Sequence, residues 1–300
     1  MSEPCMIGVD FGGTKIEAAA LDRAGEFRAR LRRPNPGSYD LSIRTVCELI
    51  AEVEAVASAS CSVGVGLPGS ASPRTGLIRN ANSVWLNGRD FGADLGAALG
   101  RQVRLANDAN CLALSEAVDG VGQGAAVVFA IIVGTGCGGG VTVHGQLLEG
   151  MNGIAGEWGH NPLPWPQSCE TPGPPCWCGQ NGCIETWVSG TGFRRDYRAT
   201  SGREATGEEI IEAARSGDKE ATAALARLID RLGRSVAVIS NLLDPDVFVL
   251  GGGLANVPEL LDGLPAAIRP HVFSEDWQAR VAPARWGDSS GVRGAARLWL

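Results

Sequence analysis

The segment Asp10-Phe-Gly-Gly-Thr-Lys15 lies between two apolar runs, residues 6–9 and 16–21. The pattern reads as strand, glycine turn, strand. Two glycines let backbone N–H groups approach an anion closely, and Thr14 and Lys15 add a hydroxyl and an ammonium at the same place. Asp10, at the end of the first strand, is suited to hold a hydrated Mg²⁺. A second hairpin follows about half a chain later: residues 127–132, then Gly134-Thr-Gly-Cys-Gly-Gly-Gly140, then 141–143. Two such turns imply a phosphate-bearing ligand gripped by two related lobes.

Three alternatives for the glycine turns separate on local sequence. Gly134-x-Gly136-x-x-Gly139 formally matches a dinucleotide fingerprint, but that fingerprint requires a helix after the turn, and residues 141–145 read as a returning strand. A P-loop is excluded because no Gly-Lys-Ser/Thr occurs. A plain tight hairpin would explain one turn, but three glycine turns (12–13, 134–140 and 251–253) each follow an apolar strand. The third leads into a helical stretch, so its N–H groups are expected to face a ligand. Gly252 and Gly253 are assigned to the adenosine end, the first two turns to phosphates.

Composition bounds the rest. The 300 residues carry a net charge of −7 with no basic stripe, which argues against a nucleic-acid surface. Arg outnumbers Lys heavily; Lys stands only at 15 and 219, so the compact ammonium beside the first glycine turn stands out. No apolar run reaches the ~18–20 residues of a membrane span. The chain enters a strand almost at once, so no signal peptide is expected and the protein reads as cytoplasmic. Helical spacing is expected over 41–57, 91–99, 109–118, 258–268 and from 208 onward, and buried strands at 63–67, 103–105 and 247–250. A terminal helix is expected to pack back onto the first lobe. The expected lobes are 1–119, completed by about 288–300, and 120–287, with 120–124 as the hinge.

Cys5, Cys47, Cys61, Cys111, Cys137 and Cys169 are scattered and read as buried hydrophobes or free thiols. Cys176, Cys178 and Cys183 are clustered, and with His160 they give H-x₁₅-C-x-C-x₄-C, a structural zinc set. Gly179 and Gly182 supply the backbone freedom of a knuckle. The surrounding segment, 161–182, is too rich in proline for a helix or central strand and needs a staple. Glu157 and Glu185 flank the set, so the knot would fix two carboxylates for a polyol. Asn107-Asp108 lies between a strand and a helix. Asp108 is either the helix N-cap or a carboxylate facing a ligand as a general base.

Taken together, Asp10-x-Gly-Gly-Thr-Lys15, Asn107-Asp108, Gly134-Thr-Gly136, Glu157-x-Gly-His160, Cys176-x-Cys-Gly-x-x-Gly-Cys183 and Gly251-Gly-Gly253, in this order, resemble the ROK family of repressors and sugar kinases across essentially the whole chain. Within it, segments such as Asn80-Ala-Asn-Ser-Val-Trp-Leu-Asn-Gly88 and Gly156-Glu-Trp-Gly-His-Asn-Pro-Leu-Pro164 are most similar to the bacterial fructokinase, or manno(fructo)kinase, subgroup. The resemblance implies an α/β, actin-like ATPase (ribonuclease H-like) fold of two lobes around a central cleft. It implies a cytoplasmic ATP-dependent kinase acting on the 6-hydroxyl of fructose, with mannose second and no nucleic-acid or membrane partner. An N-acetylhexosamine kinase or glucokinase is the alternative, and a sugar-binding regulator without turnover is the reading from another class. Repressors of the family carry a DNA-binding segment before the first hairpin, which the five residues here do not provide. By the same resemblance Asp108 would be the general base. Asn107, Glu157, His160, Glu185, Gly69 and Asn82 (less favourably Asn80) would line the sugar, with His160 also on zinc. Asp10, Gly12, Gly13, Thr14, Lys15, Gly134, Thr135, Gly136 and Gly138 would hold ATP and Mg²⁺. Members are commonly homodimers.

Overall fold

The computed structural model describes residues 5–300 and divides the chain into two compact units. Unit 1 runs up to residue 124 and takes in 140–155 and 285–300; unit 2 comprises 125–139 and 156–284. The first sheet opens with β1 (Met6–Phe11), β2 (Lys15–Leu21) and β3 (Phe27–Pro34), joined by short turns. Their alanine, valine and isoleucine residues are almost completely buried, as strands covered on both faces require. Helix α1 (Tyr39–Ala57) follows and buries Val46, Leu49, Ile50 and Val53 along one stripe. It leads into β4 (Ser62–Leu67), which runs parallel to β1.

A two-residue ladder, β5 (Ser70–Ala71) with β6 (Ile78–Arg79), precedes α2 (Phe91–Leu99). Strand β7 (Val103–Asn107) completes the sheet in the order β3-β2-β1-β4-β7, and α3 (Asp108–Asp119) follows without a loop.

The second sheet repeats the plan. β8 (Val127–Val133), β9 (Cys137–Val143) and β10 (Gln146–Leu147) correspond to the opening meander. β11 (Val247–Gly251) and β12 (Arg280–Pro283) are the parallel strands, giving β10-β9-β8-β11-β12. A strand, not a helix, therefore follows the second glycine turn, in agreement with the rejection of a dinucleotide fingerprint. Helices α4 (Glu185–Val188), α5 (Gly190–Ser201), α6 (Gly207–Arg215), α7 (Lys219–Leu243) and α8 (Pro258–Ile268) fill unit 2. The third glycine loop does not enter α8 directly. A 3₁₀ turn, Gly253–Asn256, intervenes between the loop and the helix expected at 258–268.

Helix α9 (Ser290–Ala296) packs on the first sheet, as expected of a returning terminal helix. The contact is backbone to backbone: a Cβ on Gly64 would lie 1.9 Å from the Ala295 carbonyl oxygen, and one on Gly8 1.8 Å from that of Val292. No side chain fits at either place.

Two expectations are corrected here. Cys5 and Cys61 are not free thiols but form a disulfide, because the parallel register of β1 and β4 places the residues just before Met6 and Ser62 side by side. The proline-rich segment also has a second staple besides the cysteine knot. Buried Glu170 accepts from Arg231 Nε at 2.7 Å and from Arg234 Nη2 at 2.9 and 3.0 Å. Arg234 Nη1 donates to the carbonyls of Pro164 and Trp165 at 2.9 and 2.8 Å. Burial alone would push the Glu170 carboxyl up, but the Arg231 hydrogen bond, the Gln167 N–H and Arg234 outweigh it and hold it below its ordinary value. Glu170→Ala leaves two buried guanidiniums under-paired and is expected to cost about 3–5 kcal/mol, measured by denaturant unfolding. A loss below about 1 kcal/mol would rule out the staple.

Candidate active site

Unit 1 brings Asp10 and Asp108 together at the carboxyl ends of β1 and β7. Asp108 opens α3, but it is not the cap. Asn107 is the N-cap, its Oδ1 accepting the Asn110 N–H at 2.6 Å. Asp108 Oδ1 accepts the neighbouring Ala109 N–H at 2.8 Å. The residue expected to bind sugar thus closes the helix, and the residue suspected of closing it is released from that duty. Asn107 still presents its amide nitrogen as a donor. Asp108 is open to solvent yet set deep among protein atoms. That desolvation pushes its carboxyl above the ordinary value, and the Ala109 N–H opposes the shift only in part. At Asp10, burial, then the Asp108 and Glu17 carboxylates, push the carboxyl up to about 6. A buried carboxylate raised by a second one beside it suits a cation.

The first glycine turn, Gly12-Gly13-Thr14, is held by a residue the sequence reading missed. Asn35 donates its side-chain amide to the Gly12 carbonyl at 2.8 Å and its backbone N–H to the Thr14 carbonyl at 2.9 Å. Its own Oδ1 accepts from Gly37 N and Ser42 Oγ, both at 3.1 Å. Asn35 sits between Pro34 and Pro36. That flanking rigidity is the one signal that pointed to a fixed position. Lys15 begins β2 beside the turn. Gly69 lies in the turn between β4 and β5, and Asn82 is exposed in the loop before α2. Asn80 has φ +58°, and Asn87 pins that loop through both polar groups of Ala81, at 2.9 Å each.

In unit 2 the second glycine turn is closed by Gly134 N donating to the Gly136 carbonyl at 3.0 Å. It is braced by the first turn of α5: Gly190 N donates to the Gly134 carbonyl at 2.7 Å, and Thr191 Oγ1 to that of Thr135 at 2.9 Å. The Gly138 carbonyl accepts from the indole of buried Trp158 at 3.1 Å. Gly252 packs against the Val133 carbonyl next to the same hairpin.

Glu157 precedes and His160 ends the short turn Trp158–His160, and Glu185 opens α4. Glu157 and Glu185 both act on the buried Cys137 thiol. Burial first, then these two carboxylates, drive it well above its ordinary range, so it stays a neutral thiol.

His160, Cys176, Cys178 and Cys183 converge, with all four ligand atoms within 4.8 Å of one another. Cys178 Sγ and Cys183 Sγ are 3.5 Å apart, and Cys176 Sγ is 3.6 Å from His160 Nδ1. Tetrahedral Zn–S bonds of about 2.3 Å put sulfurs about 3.8 Å apart, so the set fits. Gly179 and Gly182, at φ +90° and +70°, make the knuckle possible. Nδ1 faces the thiols, which leaves Nε2 of His160 for another partner.

The ROK family model matches residues 6–300. The chain belongs to the ROK family. This ROK protein is 39% identical over 298 residues to an N-acetyl-D-glucosamine kinase from Shigella boydii serotype 4, with 98% of each chain covered. It superposes on the ROK hexokinase of Thermus thermophilus with a TM-score of 0.87 at 32% identity, covering 97% of this chain and 96% of that one. It superposes on a ROK family glucokinase from Streptomyces griseus, solved with glucose and AMPPNP, at 0.79 and 29%, covering 98% of both. The fold is accordingly the actin-like ATPase fold of the family. Among the described residues no helix is long and apolar enough to cross a membrane.

Proposed function

We propose that this ROK protein is an ATP-dependent sugar kinase that phosphorylates the 6-hydroxyl of an N-acetylhexosamine. The observation that carries the reading is the division of labour at the start of α3. Asn107 caps the helix, and Asp108 keeps an accessible carboxylate whose proton affinity is raised toward that of a working base. In this reading Asp108 takes the proton of the 6-hydroxyl as that oxygen bonds to the γ-phosphorus and the bond to ADP breaks. Asn107, Glu157, His160 Nε2, Glu185, Asn82 and Gly69 would hold the sugar. Asp10, Gly12, Gly13, Thr14, Lys15, Gly134, Thr135, Gly136, Gly138, Gly252 and Gly253 would hold the nucleotide and Mg²⁺. Zn²⁺ in the His160, Cys176, Cys178 and Cys183 set would fix the imidazole that meets the sugar.

The fructose preference expected from the subgroup resemblance draws no support from the relatives. The Shigella relative's name favours the N-acetylglucosamine alternative. Pockets separate sugars differing at one group by a few kcal/mol at most. The test is ADP release with ATP and a panel of N-acetylglucosamine, N-acetylmannosamine, glucose, fructose and mannose. N-acetylglucosamine is expected to give the highest kcat/KM, by about tenfold or more. A higher value for fructose would restore the subgroup reading. Sugar binding without ADP release from any of the five would leave a regulator instead.

A further inference from the structure

Glu185 joins two parts of unit 2 that are distant in sequence. Its Oε2 accepts the backbone N–H of Cys137 at 2.9 Å, directly after the second glycine turn. Its Oε1 accepts the indole N–H of Trp177 at 2.8 Å. Trp177 stands between Cys176 and Cys178, and its ring meets the His160 imidazole edge to face, with centroids 4.8 Å apart and planes at 90°. The indole therefore touches the metal-ligand set through two chain neighbours and through one ring contact. It is 64% exposed, so filling a core does not account for its placement. What fixes it is the bond to Glu185 and the contact with His160. Each Glu185 oxygen retains a further lone pair for an incoming hydroxyl.

We propose that Trp177 is a positioning residue that ties the orientation of Glu185 to the metal knuckle and thereby sets affinity for the sugar. The proposal rests on the reading that Glu185 accepts sugar hydroxyls. The knuckle holds the Trp177 backbone, the indole N–H holds one carboxylate oxygen, and the glycine-turn hairpin holds the other. Loss of the metal loosens the first of these anchors and lets Glu185 rotate away. Partners behind the first contact layer of a metal or ligand site commonly matter by about 10–100-fold.

The test uses Trp177→Phe, which keeps an aromatic ring against His160 and removes the donor. Zinc content should stay at the wild-type stoichiometry, the KM for the sugar should rise about tenfold, and kcat should move less than about threefold. Chelation of the wild-type protein should change tryptophan emission, and most of that change should vanish in the variant. In a Glu185→Gln background the Trp177→Phe change should add nothing further to the sugar KM, because both act through one carboxylate. An unchanged sugar KM in Trp177→Phe, with Glu185→Gln still raising it, overturns the role of Trp177 and leaves the sugar role of Glu185 intact. An unchanged KM in Glu185→Gln removes that sugar role and the proposal with it. Loss of zinc from Trp177→Phe also overturns the proposal, since the ring would then hold the knot and not the carboxylate.

Discussion

Asp108→Asn is expected to lower kcat by about a thousandfold while the sugar still binds with near wild-type affinity. The amide keeps the size of the carboxyl and the contact with the Ala109 N–H, so α3 starts unchanged, capped by Asn107. Only the proton acceptor is lost. The wild-type pH profile should carry the same signature. Asp108 is pushed above the ordinary carboxylate value by burial, so kcat/KM should fall as pH drops through that raised value, and the residual activity of the variant should lack this limb. Isothermal titration with sugar and a coupled ADP assay separate the two effects. A variant turning over within tenfold of wild type would show that Asp108 does not take the proton.

Asp10→Asn should abolish turnover and at the same time stabilise the fold. Burial and the neighbouring Asp108 and Glu17 carboxylates raise this carboxyl from an ordinary 3.8 to about 6. Between those two values the folded chain binds a proton that the unfolded chain does not. Stability from this group is therefore greatest at the acid end and falls as pH rises through the window. Above about 6 the charge is present at full cost, on the order of 2–3 kcal/mol. Without Mg²⁺, the melting temperature of Asp10→Asn should exceed that of wild type at pH 8, and the gap should narrow on acidification below about 6 and close toward the ordinary carboxylate value of 3.8. A gap that widened on acidification would contradict the assignment. A charged group kept at a cost to stability is what a cation-binding role requires, and activity of the variant should fail at any Mg²⁺ concentration.

Where local chemistry decides structure, the sequence was legible. Apolar spacing placed α1, α2 and α8 to within two residues, and both glycine turns stood out as hairpins because apolar strands flank them. The four residues of the candidate metal set were readable as a group because their spacing is local apart from His160, and the fold brings them together. What escaped notice depends on partners far away in sequence. Cys5 meets Cys61 only because β1 and β4 pair in parallel. Asn35 matters only once its chain segment lies beside the first glycine turn. Glu170 becomes a staple only when α7 presents Arg231 and Arg234 on the face beneath it. The choice between Asn107 and Asp108 as cap was beyond sequence for another reason. Both are good capping residues, and one residue of register separates the two outcomes.

The glycine sockets at 8 and 64 also bear on how the molecule is made. Residues 290–296 fill them, so although α3 already covers Gly66 of β4 through Cys111, the sockets on β1 and β4 stay open until the chain has been made through residue 296. The first sheet must wait on the ribosome with that part of its apolar side bare, while the residues of unit 2 emerge ahead of its missing piece. Chains truncated before residue 290 should accordingly collect in the insoluble fraction or on chaperones, even though they retain every residue assigned here to the sugar, the nucleotide and the metal.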